Sequence, residues 1–251
     1  NSIGDQISLA ANVLYRDPAV VASFTEEFLQ YLRLCRPLMR IFTARDRDTF
    51  YDTLAEFEGE RADTLIKTES LSILTMPENL LASIIRRSGI DASNHLSVHS
   101  ARRRRFLESL ETNHFTELIH LPDTVAVKNG GAKVAMSNIL DGGTVFYTPE
   151  EYAAHMEQVI TLLASCENYH VILIGRQKED RYTVYAREEV GVIVAKTSQP
   201  PVVLAMGEGN MVAAFWDFLK GMAGEKTYAN PDNKTAIASL HTYLKKLGDE
   251  I

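Results

Sequence analysis

The residues best suited to chemistry are four consecutive arginines, Arg102 to Arg105. From Ile84 to Phe106 six arginines face a single acid, Asp91. A guanidinium presents paired donors that match phosphate or carboxylate, so Arg103, Arg104 and Arg105 are candidate anion-binding residues. Consecutive helical residues point in different directions, and the competing reading is a solvated helix face. A second candidate is Met206-Gly207-Glu208-Gly209-Asn210, where a strand hands over to a helix. Glycine allows close approach of backbone to a ligand, and a helix start offers free N–H groups. Neither the phosphate-loop lysine nor the full Gly-x-Gly-x-x-Gly spacing is present, and Asn210 is placed to cap the helix. Tyr147, Tyr185, Glu208 and Asn210 complete the expected ligand-binding set.

Other constellations are weaker. His95 and His99 share a helical face at four-residue spacing, yet no Cys-x-x-Cys or His-Glu-x-x-His accompanies them. His114, His120, His155, His170 and His241 are scattered, so no metal site and no cofactor are expected. No Gly-x-Ser-x-Gly elbow occurs. Glu188 and Glu189 are adjacent in a turn and project apart. Asn233-Lys234-Thr235 has the form of a glycosylation acceptor.

Composition sets the frame for these residues. With 45% hydrophobic and 24% charged residues, the 251-residue chain has the make-up of a protein with a real core. Net charge is −7, shared between 14 basic and 18 acidic residues through Val125 and 12 against 15 beyond it. That balance disfavours a globally basic nucleic-acid binder. No run approaches the roughly 20 apolar residues of a membrane helix, so no membrane partner is expected. Cys35 and Cys166 are too few for a disulfide framework, which points to a cytoplasmic location. The start at Asn1 rather than Met predicts a fragment or processed product.

The elements that must position the candidates divide into two regions. Residues 1–90 read as helical: Val20, Phe24, Phe28, Leu32 and Cys35 share a stripe that Pro37 ends or bends. Phe50, Leu54 and Phe57 mark a second helix, and Pro77-Glu78 opens a third that stops at Ser88-Gly89. Residues 91–251 form the other region, beginning with a helix over Arg102 to Leu110. Val125 to Ala135 around Asn129-Gly130 predicts a hairpin, and Asp141-Gly142-Gly143 a further turn. Thr148-Pro149-Glu150-Glu151 opens a helix bearing Met156, Val159, Ile160 and Leu163. Four β-like runs follow: His170 to Ile174, Tyr182 to Ala186, Val190 to Ala195 and Pro201 to Met206. Their short separators suggest an antiparallel meander. Two helices, around Met211 to Met222 and Ile237 to Leu247, close the chain. The expected class is α+β: a helical N-terminal part followed by an antiparallel sheet flanked by helices.

Several segments in order carry a family resemblance: Arg104-Arg105-Phe106-Leu107, Phe146 to Tyr152, Asn168 to Ile174, Glu189 to Ile193, Pro200 to Leu204 and Asn210 to Leu219. Together they resemble the C-terminal regulatory part of bacterial helix-turn-helix transcription regulators. The resemblance implies a non-catalytic sensory region that binds a small-molecule effector, mediates homodimerisation, or both. DNA would then be contacted only through a domain absent from this chain, which shows no recognition-helix unit of its own. The alternative is an enzyme acting on a phosphorylated small molecule through Gly207 to Asn210 and the arginines. A third reading, a nucleic-acid module, would use Arg102 to Arg105.

Overall fold

The structure is a computed structural model, and it describes residues 35–38, 44–91, 94–135, 144–175, 182–196 and 202–248. Strand β1 is Cys35–Leu38, followed by helix α1, Ala44–Gly59, and strand β2, Thr64–Thr68. A 3₁₀ turn at Ile73–Thr75 leads to α2, Glu78–Ser88, and α3, His95–Ser109. Then come β3, Phe115–Ile119, α4, Thr124–Lys128, α5, Pro149–Ser165, and β4, Tyr169–Leu173. The meander strands are β5, Tyr182–Arg187, β6, Gly191–Lys196, and β7, Val202–Met206. Helices α6, Gly209–Ala223, α7, Glu225–Ala229, and α8, Asn233–Gly248, finish the described chain.

All seven strands join one sheet in the order β1-β7-β6-β5-β2-β3-β4. The molecule is α plus β, with helices in its N-terminal part and a sheet flanked by helices, as expected. Strands β5, β6 and β7 form the expected antiparallel meander, and β1 adds to it antiparallel. The first of the four β-like runs behaves differently. Strand β4 pairs parallel with β3, which pairs parallel with β2. The long connections before β3 and β4 supply the crossover length that parallel pairing needs. Strand β2, from the supposedly helical region, lies between β5 and β3. A division at residues 90 and 91 therefore runs through one shared sheet.

Two further expectations change. Cys35 to Leu38 is an edge strand rather than a helix end, and an edge is where a strand tolerates Pro37. The rest of the stripe from Val20, and the turn at Asp141-Gly142-Gly143, fall outside the described residues. The hairpin at Asn129-Gly130 is instead the end of helix α4. Asp123 caps that helix by accepting from the Val125 N–H, and Gly130 takes φ +69° just past its end. Asn-Gly suits a helix stop for the same reason it suits a tight turn, namely tolerance of positive φ. Among the described residues, Lys133 and Phe146 form an isolated antiparallel bridge there.

Alternation along each strand builds two cores. Ile66, Phe115, Ile119, Tyr169, Tyr185 and Ile193 face helices α1, α2, α3, α5 and α8, meeting Leu54, Leu81, Phe106, Met156, Val159 and Leu240. Leu65, Leu118, Val184, Ala186 and Val192 face the other way, onto Val212, Trp216 and Leu219 of α6. The crossovers from β2 to β3 and from β3 to β4 step in one direction, and connections of the usual single hand then put their helices on one side, which explains the crowded face. Strands β2 and β3 are buried along their whole length, yet they carry Thr64, Lys67, Thr68, Thr116 and Glu117 among their apolar residues.

Candidate functional site

The polar groups that converge lie inside the crowded face. After β2 the chain runs through Thr68, Ser70, Ser72 and Thr75, every one of them buried. A buried loop must satisfy its own polar groups, and here side chains from two helices, α3 and α5, assist. Arg103 reaches the carbonyls of Leu74, Thr75 and Met76 at 3.3, 2.9 and 3.3 Å. The His99 Nε2–H donates to the Met76 carbonyl at 2.9 Å. Ser72 caps the 3₁₀ turn by accepting from the Leu74 N–H.

His155, from α5, is fully buried and links two hydroxyls. Its Nε2 is 2.9 Å from Thr75 Oγ1, and its Nδ1 is 2.9 Å from the Tyr147 hydroxyl. Thr75 already donates to the Ser72 carbonyl at 2.8 Å. The directions follow: Tyr147 O–H donates to Nδ1, and the Nε2–H donates to Thr75. Burial, with Arg103 and His99 nearby, lowers the His155 pKa to about 3. Burial also lowers His99 to about 4, against the pull of the Met76 carbonyl. Both imidazoles are therefore neutral at physiological pH.

Beside this chain of donors sits Glu117, central on β3 and wholly inaccessible. Burial raises its pKa to about 8, so the carboxyl is mostly protonated at neutral pH. The Ser72 N–H and the Tyr169 hydroxyl lie close enough to oppose that rise, but neither closes into hydrogen-bond geometry. Both carboxyl oxygens lack a hydrogen-bond partner among the described residues, as do the Tyr152 and Tyr169 hydroxyls and Ser70 Oγ. Tyr169 lies beside Glu117, and Tyr152 beside Ser70 and Tyr243, so these five buried atoms face one another without closing into hydrogen-bond geometry, an arrangement that native proteins rarely leave. A neutral acid, neutral imidazoles and hydroxyls can donate and accept hydrogen bonds without carrying charge.

The roof over this seam is the strand-like segment from Val145 to Thr148 and the start of α5. Thr148 and Glu151 form a reciprocal capping box there. Arg87 of α2 holds the roof from outside, donating to the Phe146 carbonyl at 2.7 Å and pairing with Glu151 at 2.8 Å. Arg87 is 43% exposed, and such surface pairs contribute at most about 1 kcal/mol.

Of the expected ligand residues, only Tyr147 belongs to this seam. Tyr185 is buried on the same sheet face but packs edge-on against Phe57, beside Arg102 and Glu58. Glu208 and Asn210 begin α6, which covers the opposite face. The four do not converge. Glu208, not Asn210, caps α6, accepting from the Asn210 and Met211 N–H groups at 3.1 and 2.8 Å. Asn210 is exposed.

The arginines are neither a uniform solvated face nor a free anion site. Arg102 is buried and makes a forked pair with the buried Glu58, at 3.0 and 3.1 Å from Nε and 2.7 Å from Nη2. Arg105, one turn on, reaches Glu58 at 3.3 Å. Arg103 supports the buried loop, and only Arg104 stands in solvent, opposite Glu108. Asn233 is also engaged, donating to the Leu163 and Tyr169 carbonyls, which removes the free amide a glycan acceptor needs.

The residues that sequence reasoning missed are Glu117, His155, Thr75, Ser70, Tyr152 and Tyr169. One signal was available: an acid in the middle of Phe115-Thr116-Glu117-Leu118-Ile119, a run otherwise suited to a buried strand. No protein-family model, no curated protein and no solved structure matches this chain.

Proposed function

We propose that the chain is a non-catalytic regulatory region of a bacterial transcription regulator that takes a small, neutral, polar effector in the seam around Glu117. The observation that carries this reading is the cluster of unpaired, buried polar atoms on Glu117, Tyr152, Tyr169 and Ser70. An effector able to donate and accept hydrogen bonds would satisfy them, and its entry requires the roof at Val145 to Thr148 to lift. Binding then favours one arrangement of that roof over another, which is what an effector must do to signal. Neutrality of the effector follows from the seam: its acid and both imidazoles are uncharged, and Arg103 is already engaged with three carbonyls.

The non-catalytic part of the reading rests on the character of the seam: Glu117 is mostly protonated and the buried His155 and His99 are weakly basic, so none of them is a strong base at neutral pH. The enzyme alternative, acting on a phosphorylated molecule, loses support because Arg102, Arg103 and Arg105 are internally paired and Glu208 occupies the helix start. Homodimerisation belongs to the same proposal, and Phe218, 54% exposed on α6, is the apolar surface residue that would serve it. The test is a thermal-shift screen of neutral hydroxylated and amide compounds on the wild type and Glu117→Leu. A compound that raises the wild-type midpoint and leaves Glu117→Leu unmoved supports the seam; equal shifts in both place the binding elsewhere.

A further inference from the structure

Two histidines 56 residues apart come together where β3 and β4 begin. His170 Nε2 lies 3.4 Å from His114 Nδ1, with ring centroids 5.6 Å apart and the planes only 21° from parallel. That separation is long for a hydrogen bond. Two nitrogens sharing one tetrahedral zinc, each at 2.0–2.1 Å, stand roughly 3.3–3.4 Å apart.

The surroundings resemble those of ligating imidazoles. Asn233, at the start of α8, donates its amide to the Tyr169 carbonyl at 2.9 Å, so its Oδ1 faces His170 Nδ1 at 3.1 Å. The Nδ1–H therefore donates to Asn233, and the Nε2 lone pair is left toward His114. A ligating histidine ordinarily gives its second N–H to such an oxygen, which fixes tautomer and ring orientation. Asp63 anchors the other partner by accepting the His114 backbone N–H at 2.8 Å. His114 is exposed and His170 partly so, which leaves the nitrogens reachable.

We infer that His114 and His170 form a binding site for a late first-row divalent cation of the zinc type. Two protein nitrogens hold the ion, and water fills the remaining positions, since no group of three or more metal-binding side chains occurs among the described residues. His170 ligates through Nε2 with its proton kept on Nδ1 toward Asn233, and His114 ligates through Nδ1 with its proton carried on Nε2, so both rings bind in the neutral form. The site is separate from the seam around Glu117, and it stands whether or not that reading does.

The experiment is isothermal titration of the whole chain with zinc chloride at pH 7.5 in a non-chelating buffer. The expected result is one ion per chain, with affinity reduced at least tenfold in His114→Ala and in His170→Ala. Asn233→Ala, which removes the orienting oxygen together with the amide's bonds to the Leu163 and Tyr169 carbonyls, should weaken binding by about tenfold. His241→Ala, an exposed histidine on α8, should bind as the wild type does. Unfolding midpoints in the absence of zinc separate lost ligation from lost folding. Undiminished binding in both histidine variants, or no binding at millimolar zinc, overturns the site.

Discussion

Replacing Glu117 by Gln keeps the shape of the side chain and removes its proton equilibrium. In the folded chain its pKa is about 8, against 4.5 for an exposed glutamate. A group whose folded pKa is raised contributes stability that is full below the unfolded value and is lost as pH climbs through the folded one. The contribution is about 4 kcal/mol at pH 5, about 1.4 kcal/mol at pH 7 and near zero at pH 9. His99 and His155 act in the opposite direction, because their folded pKa values of about 4 and about 3 lie below the usual 6.5. Each costs about 2 kcal/mol as pH falls from 7 to 5, since the unfolded chain takes up protons that the folded one refuses. In the wild type the two effects largely cancel on the acid side. The Gln variant should therefore lose less stability between pH 7 and 9 and considerably more between pH 7 and 5. Urea unfolding at half-unit steps from pH 5 to 9 reads the difference. Parallel stability curves for the two proteins would refute the argument, because they would mean that Glu117 titrates alike in both states.

Glu58→Ala should cost about 3–5 kcal/mol in urea unfolding, because Arg102 is left charged and buried without its partner. The double change of Glu58→Leu with Arg102→Met should recover most of that loss. Glu208→Ala removes the cap of α6 and should cost about 1 kcal/mol, while leaving the response to any seam ligand unchanged. Glu189 sits at φ +59° between β5 and β6, so Glu189→Gly should raise stability by up to about 1 kcal/mol in thermal unfolding. Phe218→Asp should leave the unfolding midpoint nearly unchanged, and light scattering should show a monomer if a homodimer forms through α6.

Local signals in the sequence located most elements. The Thr148-Pro149 start of α5, the Pro77 and Gly89 limits of α2, and the meander from Tyr182 to Met206 were readable because capping residues, fixed φ values and alternation act within a few residues. Pairing at long range was not. Nothing within Thr64 to Thr68 says that its neighbours are 50 and 120 residues away, so β2 was hidden in a stretch that reads as helical. Asn129-Gly130 misled because a hairpin and a helix end ask the same of the backbone. The candidate site was less legible than the fold. The arginine run drew attention by its charge, yet Glu58, which decides the fate of Arg102 and Arg105, is 44 positions away from Arg102. Glu117, His155 and Thr75 meet only because the parallel register and the buried loop after β2 bring them to one face. His114 and His170 have no spacing to read, since their neighbourhood comes from adjacent parallel strands.

The most direct test of the central claim is hydrogen exchange with a compound that stabilises the wild type. Amides from Thr68 to Met76 and from Val145 to Thr148 should exchange more slowly when the compound binds, with no such change in Glu117→Leu. Protection confined to the start of α6, or equal protection in wild type and variant, would contradict it.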